Sequence, residues 1–142
     1  MKPFSLALAL TALLATTATS QADDASALQG TWSVVTAELG GVRQPPEIVT
    51  NIVLKIGDGK YEVTVNGHPD KGTCKVDAST KPGTMDITGT EGPNAGRNIP
   101  AIYELRGDKL RICYGLRGSP RPTEFKSNPG TQQYLVVYQR KK

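Results

Sequence analysis

The feature that most constrains this chain is its punctuation. Fifteen glycines and ten prolines interrupt it, and no window after residue 22 carries a long apolar periodicity of 3.6 residues. Alternation of period two is what recurs between the interruptions, which is the pattern of short half-buried strands. Eight strands are predicted, over 31–39, 52–56, 60–65, 72–77, 84–88, 101–105, 109–114 and 133–140. The segment PPEIVTN is the one place for a turn of helix.

Connection lengths choose between a sandwich and a barrel. GDG, ASTKPG and RGD are hairpin-sized, whereas GGVRQPPEIVTN, NGHPDK, GTEGPNAGRNIP and GLRGSPRPTEFKSNPGTQ, which alternate with them, are longer. Successive connections of an up-and-down array fall at opposite ends, so this alternation builds one tight end and one elaborated mouth. A Greek-key sandwich has no reason to sort its loops in this way. The expected fold is therefore all-β: an eight-stranded antiparallel up-and-down barrel.

The first residues read as an address. Lys2 precedes an apolar run over 4–15 that is too short to span a bilayer, and small residues follow it. This predicts a signal peptide over 1–22, cut after Ala22 (with Ser20 as second choice), and export to the periplasm or the cell exterior. No cysteine lies near the cut, which speaks against a lipid anchor. Residues 23–142 form one domain with one modest core. Without Lys2 the chain carries sixteen basic and thirteen acidic side chains, a charge of +3. Apart from the terminal RKK the charges are spread, with no basic stripe interleaved with aromatics, so no nucleic-acid partner is expected. The expected form is a monomer that does not span a membrane.

Trp32, the single tryptophan, stands two residues after Gly30 at the start of the first strand. This Gly-x-Trp resembles the lipocalin signature. LQGTWSVVTAELGG, IYELRGDKLRICY, RPTEF and the last strand resemble, more specifically, a family of exported, lipocalin-like bacterial domains of uncharacterised function. The resemblance covers nearly all of residues 23–142, although the strands are shorter than those of lipocalins. It implies a calycin-type barrel whose tryptophan plugs the closed end beneath an arginine from the last strand. Gly30, Trp32 and Arg140 are then the structural floor: a large ring fills the taper, a guanidinium stacks on it, and a residue without Cβ allows close backbone approach.

Strand parity counted from Trp32 turns Val34, Thr36 and Glu38 inward. The apolar parity of the other strands adds Leu54, Ile56, Tyr61, Val63, Val65, Cys74, Val76, Met85, Ile87, Tyr103, Leu105, Leu110, Ile112, Tyr114, Tyr134, Val136 and Tyr138. Among these, Val34, Glu38, Leu54, Tyr61, Val63, Met85, Tyr103, Leu105, Tyr114, Val136 and Tyr138 are the candidate cavity residues. An aliphatic and tyrosine lining suits a small apolar or amphipathic molecule whose polar atoms meet phenol hydroxyls. The same residues would also simply fill an eight-stranded barrel, leaving a module that displays its loops to a protein or surface polymer. Glu38, the one ionisable residue of the inward set, either orients a ligand or reaches solvent.

At the mouth the candidates are Arg97, Arg121 and Phe125. In SPRPTEF, Arg121 and Glu124 lie three residues apart between stiffening prolines. The loop reads either as a self-paired scaffold or as a lid in which Arg121 and Arg97 hold an anionic head group and Phe125 caps the opening.

Neither catalysis nor a cofactor is expected. His68 is the single histidine, no serine or cysteine has the context of a nucleophile elbow, and no phosphate loop or dinucleotide fingerprint occurs. Cys74, Cys113 and His68 do not make a zinc site. Export would permit a disulfide, but parity puts Cys74 on the inner face and Cys113 on the outer face, where disulfide geometry cannot be met. The RGD at 106–108 reads as tight-hairpin chemistry.

Overall fold

The computed structural model describes residues 21–142; residues 1–20 of the expected leader lie outside the described residues. The elements in order are α1 (Gln21–Leu28), β1 (Gly30–Leu39), β2 (Val42–Arg43), α2 (Pro46–Val49), β3 (Ile52–Gly57), β4 (Lys60–Val65), β5 (His68–Asp77), β6 (Gly83–Glu91), β7 (Asn98–Arg106), β8 (Lys109–Gly115) and β9 (Gln133–Arg140). β1 and β3 to β9 pair antiparallel in chain order, and β9 pairs back on β1, closing an eight-stranded up-and-down barrel. β2 is a two-residue spur on the mouth end of β1. α2 falls in PPEIVTN, as expected, and places Val49 in the core.

Loop lengths sort by end with one exception. The Trp32 end carries the turns at 58–59, 78–82 and 107–108, and the other end carries 40–51, 92–97 and 116–132. The exception is the connection between β4 and β5. The sequence predicts a six-residue loop, NGHPDK, but the chain turns in two residues, Asn66 (φ 51°) and Gly67 (φ 80°). Two positive φ angles in a row make the primed turn that matches strand twist, and Asn-Gly is its preferred sequence. β5 therefore starts at His68 and accommodates Pro69, because β6 pairs with it only from Lys71 onward and the missing N–H faces an edge.

The floor is built by register. Trp32 is the direct partner of Arg140 across the closing β1–β9 ladder, so both side chains lie on one face at the narrow end. Trp32 is fully buried, and the Arg140 guanidinium carbon lies 4.2 Å from its ring centre. Gly30, at φ 144°, leaves the space this needs: a Cβ there would stand 2.7 Å from Arg140 Nη1.

The helix α1 closes the floor and was not foreseen from sequence, where its residues fall in the leader and the run after it. Its carbonyls are satisfied by the barrel. Trp32 Nε1 donates to Leu28 O (3.0 Å), while Arg140 donates from Nη1 to Gln29 O and from Nη2 to Ala27 O, each at 2.6 Å. A cation at the carbonyl end of a helix also opposes its dipole. Tyr103 Oη donates to Asp24 in the same helix at 2.5 Å.

Candidate functional site

Below the mouth the barrel is filled. Leu54, Met85, Tyr103 and Val136 are buried in its core, and Val34 and Leu105 pack against it partly buried. Nearer the mouth the side chains stop meeting. A cavity of about 360 Å³ lies there, lined by apolar residues that include Ile52, Val63, Val65, Ile87, Ile99 and Leu116, and by Tyr61, Tyr114, Tyr134 and Tyr138. Of the candidate cavity residues, Tyr61, Val63, Tyr114 and Tyr138 line this space, and the others lie elsewhere.

Polar atoms are few and defined. The hydroxyls of Tyr114 and Tyr138 are 2.8 Å apart in one buried hydrogen bond. Tyr114 also packs its ring on Tyr134, with centres 5.8 Å apart. Burial raises the phenol pKa of both hydroxyl partners, and for Tyr114 the neighbouring Tyr138 adds to the shift. Tyr61 is pushed up to about 12, first by burial and then by the charge of Asp70. All three are neutral phenols near pH 7, able to donate.

Asp70 and Asn94 build one side of the rim. Asp70 Oδ2 accepts from Asn94 Nδ2 at 2.6 Å and its Oδ1 accepts from the Asn94 backbone N–H at 3.3 Å. This ties β5 to the 92–97 loop and brings Pro93 into the cavity wall. Asp70, Asn94, Pro93, Ile99 and Leu116 were missed by sequence reading. β5 and β7 begin four and three residues earlier than the alternation shows, and Asp70 and Ile99 lie in those extensions.

Glu38 requires correction. β1 bulges between Val34 and Thr36: Val34 pairs with Tyr138 but Thr36 pairs with Val137. Val35 is the extra residue and is half exposed. The bulge reverses parity beyond it, so that Ala37 is buried in the core. Thr36 and Glu38 take the outward parity, and Glu38 becomes the cross-strand partner of Arg43 in the spur. The expected inward carboxylate is absent from the lining.

The lid is likewise corrected. Segment 116–132 folds down the outer wall instead of across the opening. Arg121 Nη1 donates to the carbonyls of Ala101 (2.8 Å) and Met85 (3.1 Å), and Nη2 pairs with Asp86 at 2.5 Å. The partner of Arg121 is thus Asp86, while Glu124 pairs with Lys126. Phe125 lies under the Arg111 guanidinium, 4.0 Å from its carbon. The reason is apolar surface on the wrong side of the wall. Ile102 and Cys113 are outward cross-strand partners, yet they are 3% and 0% exposed. A barrel wall with such a pair needs a cover, and the strap supplies it. Arg97 stays at the mouth end, exposed on the 92–97 loop, in a hollow with Leu116 and Arg117 outside the cavity.

The cysteines lie as parity expects. Cys74 is inside the core and Cys113 outside it under the strap, where its thiol donates to Lys126 O at 3.4 Å; both are free. Burial pushes the Cys74 thiol up to about 11.

No protein-family model matches this chain, and no curated protein matches it in sequence. The closed eight-stranded antiparallel barrel is accordingly the level at which the resemblance noted above is supported.

Proposed function

We propose that this is an exported, monomeric binding protein of the lipocalin-like bacterial family, which holds one small apolar or amphipathic molecule in the mouth cavity without transforming it. The observation that carries this reading is the apolar void itself, with tyrosine hydroxyls as its innermost polar groups. Its volume of about 360 Å³ is more than twice the roughly 150 Å³ void that takes up benzene in an engineered protein. It falls at the small end of ligand pockets. The leader-like N-terminus supports export.

The test is mass spectrometry of molecules released from the purified chain, together with displacement of an apolar fluorescent probe. A Val63→Phe variant, which fills the space, should abolish probe binding and keep the fold. Probe binding that survives the filling would overturn the cavity as the site.

A second reading, a module that presents its loops to a protein or surface polymer, is favoured by Val42 and Ile48, which are 64% and 45% exposed beside the mouth. Replacing both by serine would weaken such a contact and leave probe binding untouched.

A further inference from the structure

Tyr61 leaves the cavity with an unmet proton. It packs into the barrel core from β4, it is 7% exposed, and it is one of the residues that line the cavity. Its hydroxyl is the one buried side-chain polar atom among the described residues that lacks a hydrogen-bond partner. Elsewhere in folded proteins such atoms are almost always paired, because leaving one desolvated and unpaired is costly.

A second proton stands nearby. The Tyr114 and Tyr138 hydroxyls share a single hydrogen bond, so one O–H is used as donor and the other has no side-chain acceptor among the described residues. Two phenol O–H groups at the cavity are therefore open to a group that accepts. The cavity has no buried cation to match an anion, since none of the buried side chains among the described residues is charged. The charge at its rim is that of Asp70, which acts on Tyr61 and would repel a carboxylate.

We propose that the cavity selects a small neutral molecule bearing a carbonyl oxygen, which accepts a hydrogen bond from Tyr61 Oη while the aliphatic walls bury the rest. This rests on the ligand-binding reading above and replaces the anionic head group that the mouth arginines suggested in the sequence. A carbonyl fits because its oxygen accepts, whereas an apolar ligand would leave Tyr61 as it is.

Three probes of similar length separate the outcomes: 2-octanone, its isostere 2-methyl-1-octene in which a methylene replaces the oxygen, and octanoate. Affinities are measured by competition against a bound apolar fluorophore on the intact chain. The ketone should bind at least about tenfold more tightly than the alkene, the scale expected when one partner of a buried hydrogen bond is removed. Octanoate should be the weakest of the three. Tyr61→Phe, which keeps the ring, should remove the ketone's advantage and leave the alkene's affinity in place. The ketone–alkene comparison on the unaltered chain needs no variant and stands even where Tyr61→Phe perturbs folding. Equal binding of ketone and alkene, or tightest binding of octanoate, would overturn carbonyl selection while leaving the cavity as a binding site. Failure of all three to compete would overturn both.

Discussion

Arg140 caps the helix α1 with the same guanidinium that covers Trp32: its carbon is 4.2 Å from the indole centre while Nη1 and Nη2 hold the carbonyls of Gln29 and Ala27. One side chain therefore joins the last strand, the first strand and the N-terminal helix. Its ion pair with Asp108, at 3.1 Å and partly in solvent, adds little beside these contacts. Trp32→Ala should cost about 3–5 kcal/mol, as for other large core truncations. Arg140→Ala should cost about 2–4 kcal/mol, combining the lost cation–π contact with carbonyls left unpaired. Urea melts followed by circular dichroism measure both, and an Arg140→Ala midpoint equal to the unaltered chain would refute the capping role.

Gly30 is the steric condition for that arrangement. A methyl group there meets Arg140 Nη1 at 2.7 Å, and φ 144° is unfavourable for any L side chain. Gly30→Ala is expected to destabilise by about 1–3 kcal/mol, and the loss should shrink in an Arg140→Ala background. Additive losses in a double-mutant cycle would show that Gly30 matters for backbone strain alone.

Stability should fall steeply at high pH. All five tyrosines of the chain have their phenol pKa raised in the fold, chiefly by burial, with Tyr61 at about 12. The unfolded chain ionises near 10. Above pH 10 it therefore releases protons that the native state still holds, and unfolding is drawn forward. The stability conferred by neutral phenols is complete below pH 10 and lost as pH rises through about 12. A spectrophotometric titration should show no tyrosine ionising at the ordinary midpoint, with phenolate appearing together with loss of structure. A reversible transition near pH 10 in folded protein would contradict the burial of these rings.

Thiol counting distinguishes the faces of the barrel. Two free thiols should appear in denaturant without reductant, since Cys74 and Cys113 lie on opposite sides of the wall. In the native state at pH 8 both should react slowly: each is buried, and Cys74 stays protonated until about pH 11. Arg121→Ala, which releases the strap from Ala101, Met85 and Asp86, should accelerate Cys113 alone. Equal acceleration of Cys74 would mean that the strap supports the whole barrel.

The architecture was legible because hairpin chemistry is local. Alternation over short runs, hairpin-sized turns such as Asp58-Gly59, and the order of short and long connections each depend on neighbours in sequence, and together they determine an up-and-down array. The tight Asn66-Gly67 turn, by contrast, reads in sequence as part of a longer loop. The facing of Cys74 and Cys113 followed from unbroken parity in β5 and β8. Only the tertiary structure could decide the site. One extra residue at Val35 turned Glu38 out of the barrel, because a bulge is set by how β1 closes on β9 and leaves no mark in the alternation. The strap went to the outer wall because Ile102 and Cys113, cross-strand partners on a face that alternation assigns to solvent, need covering. Whether Tyr61 finds a partner depends on how far side chains from separate strands reach across the barrel, and that is a property of packing that the order of residues along each strand does not contain.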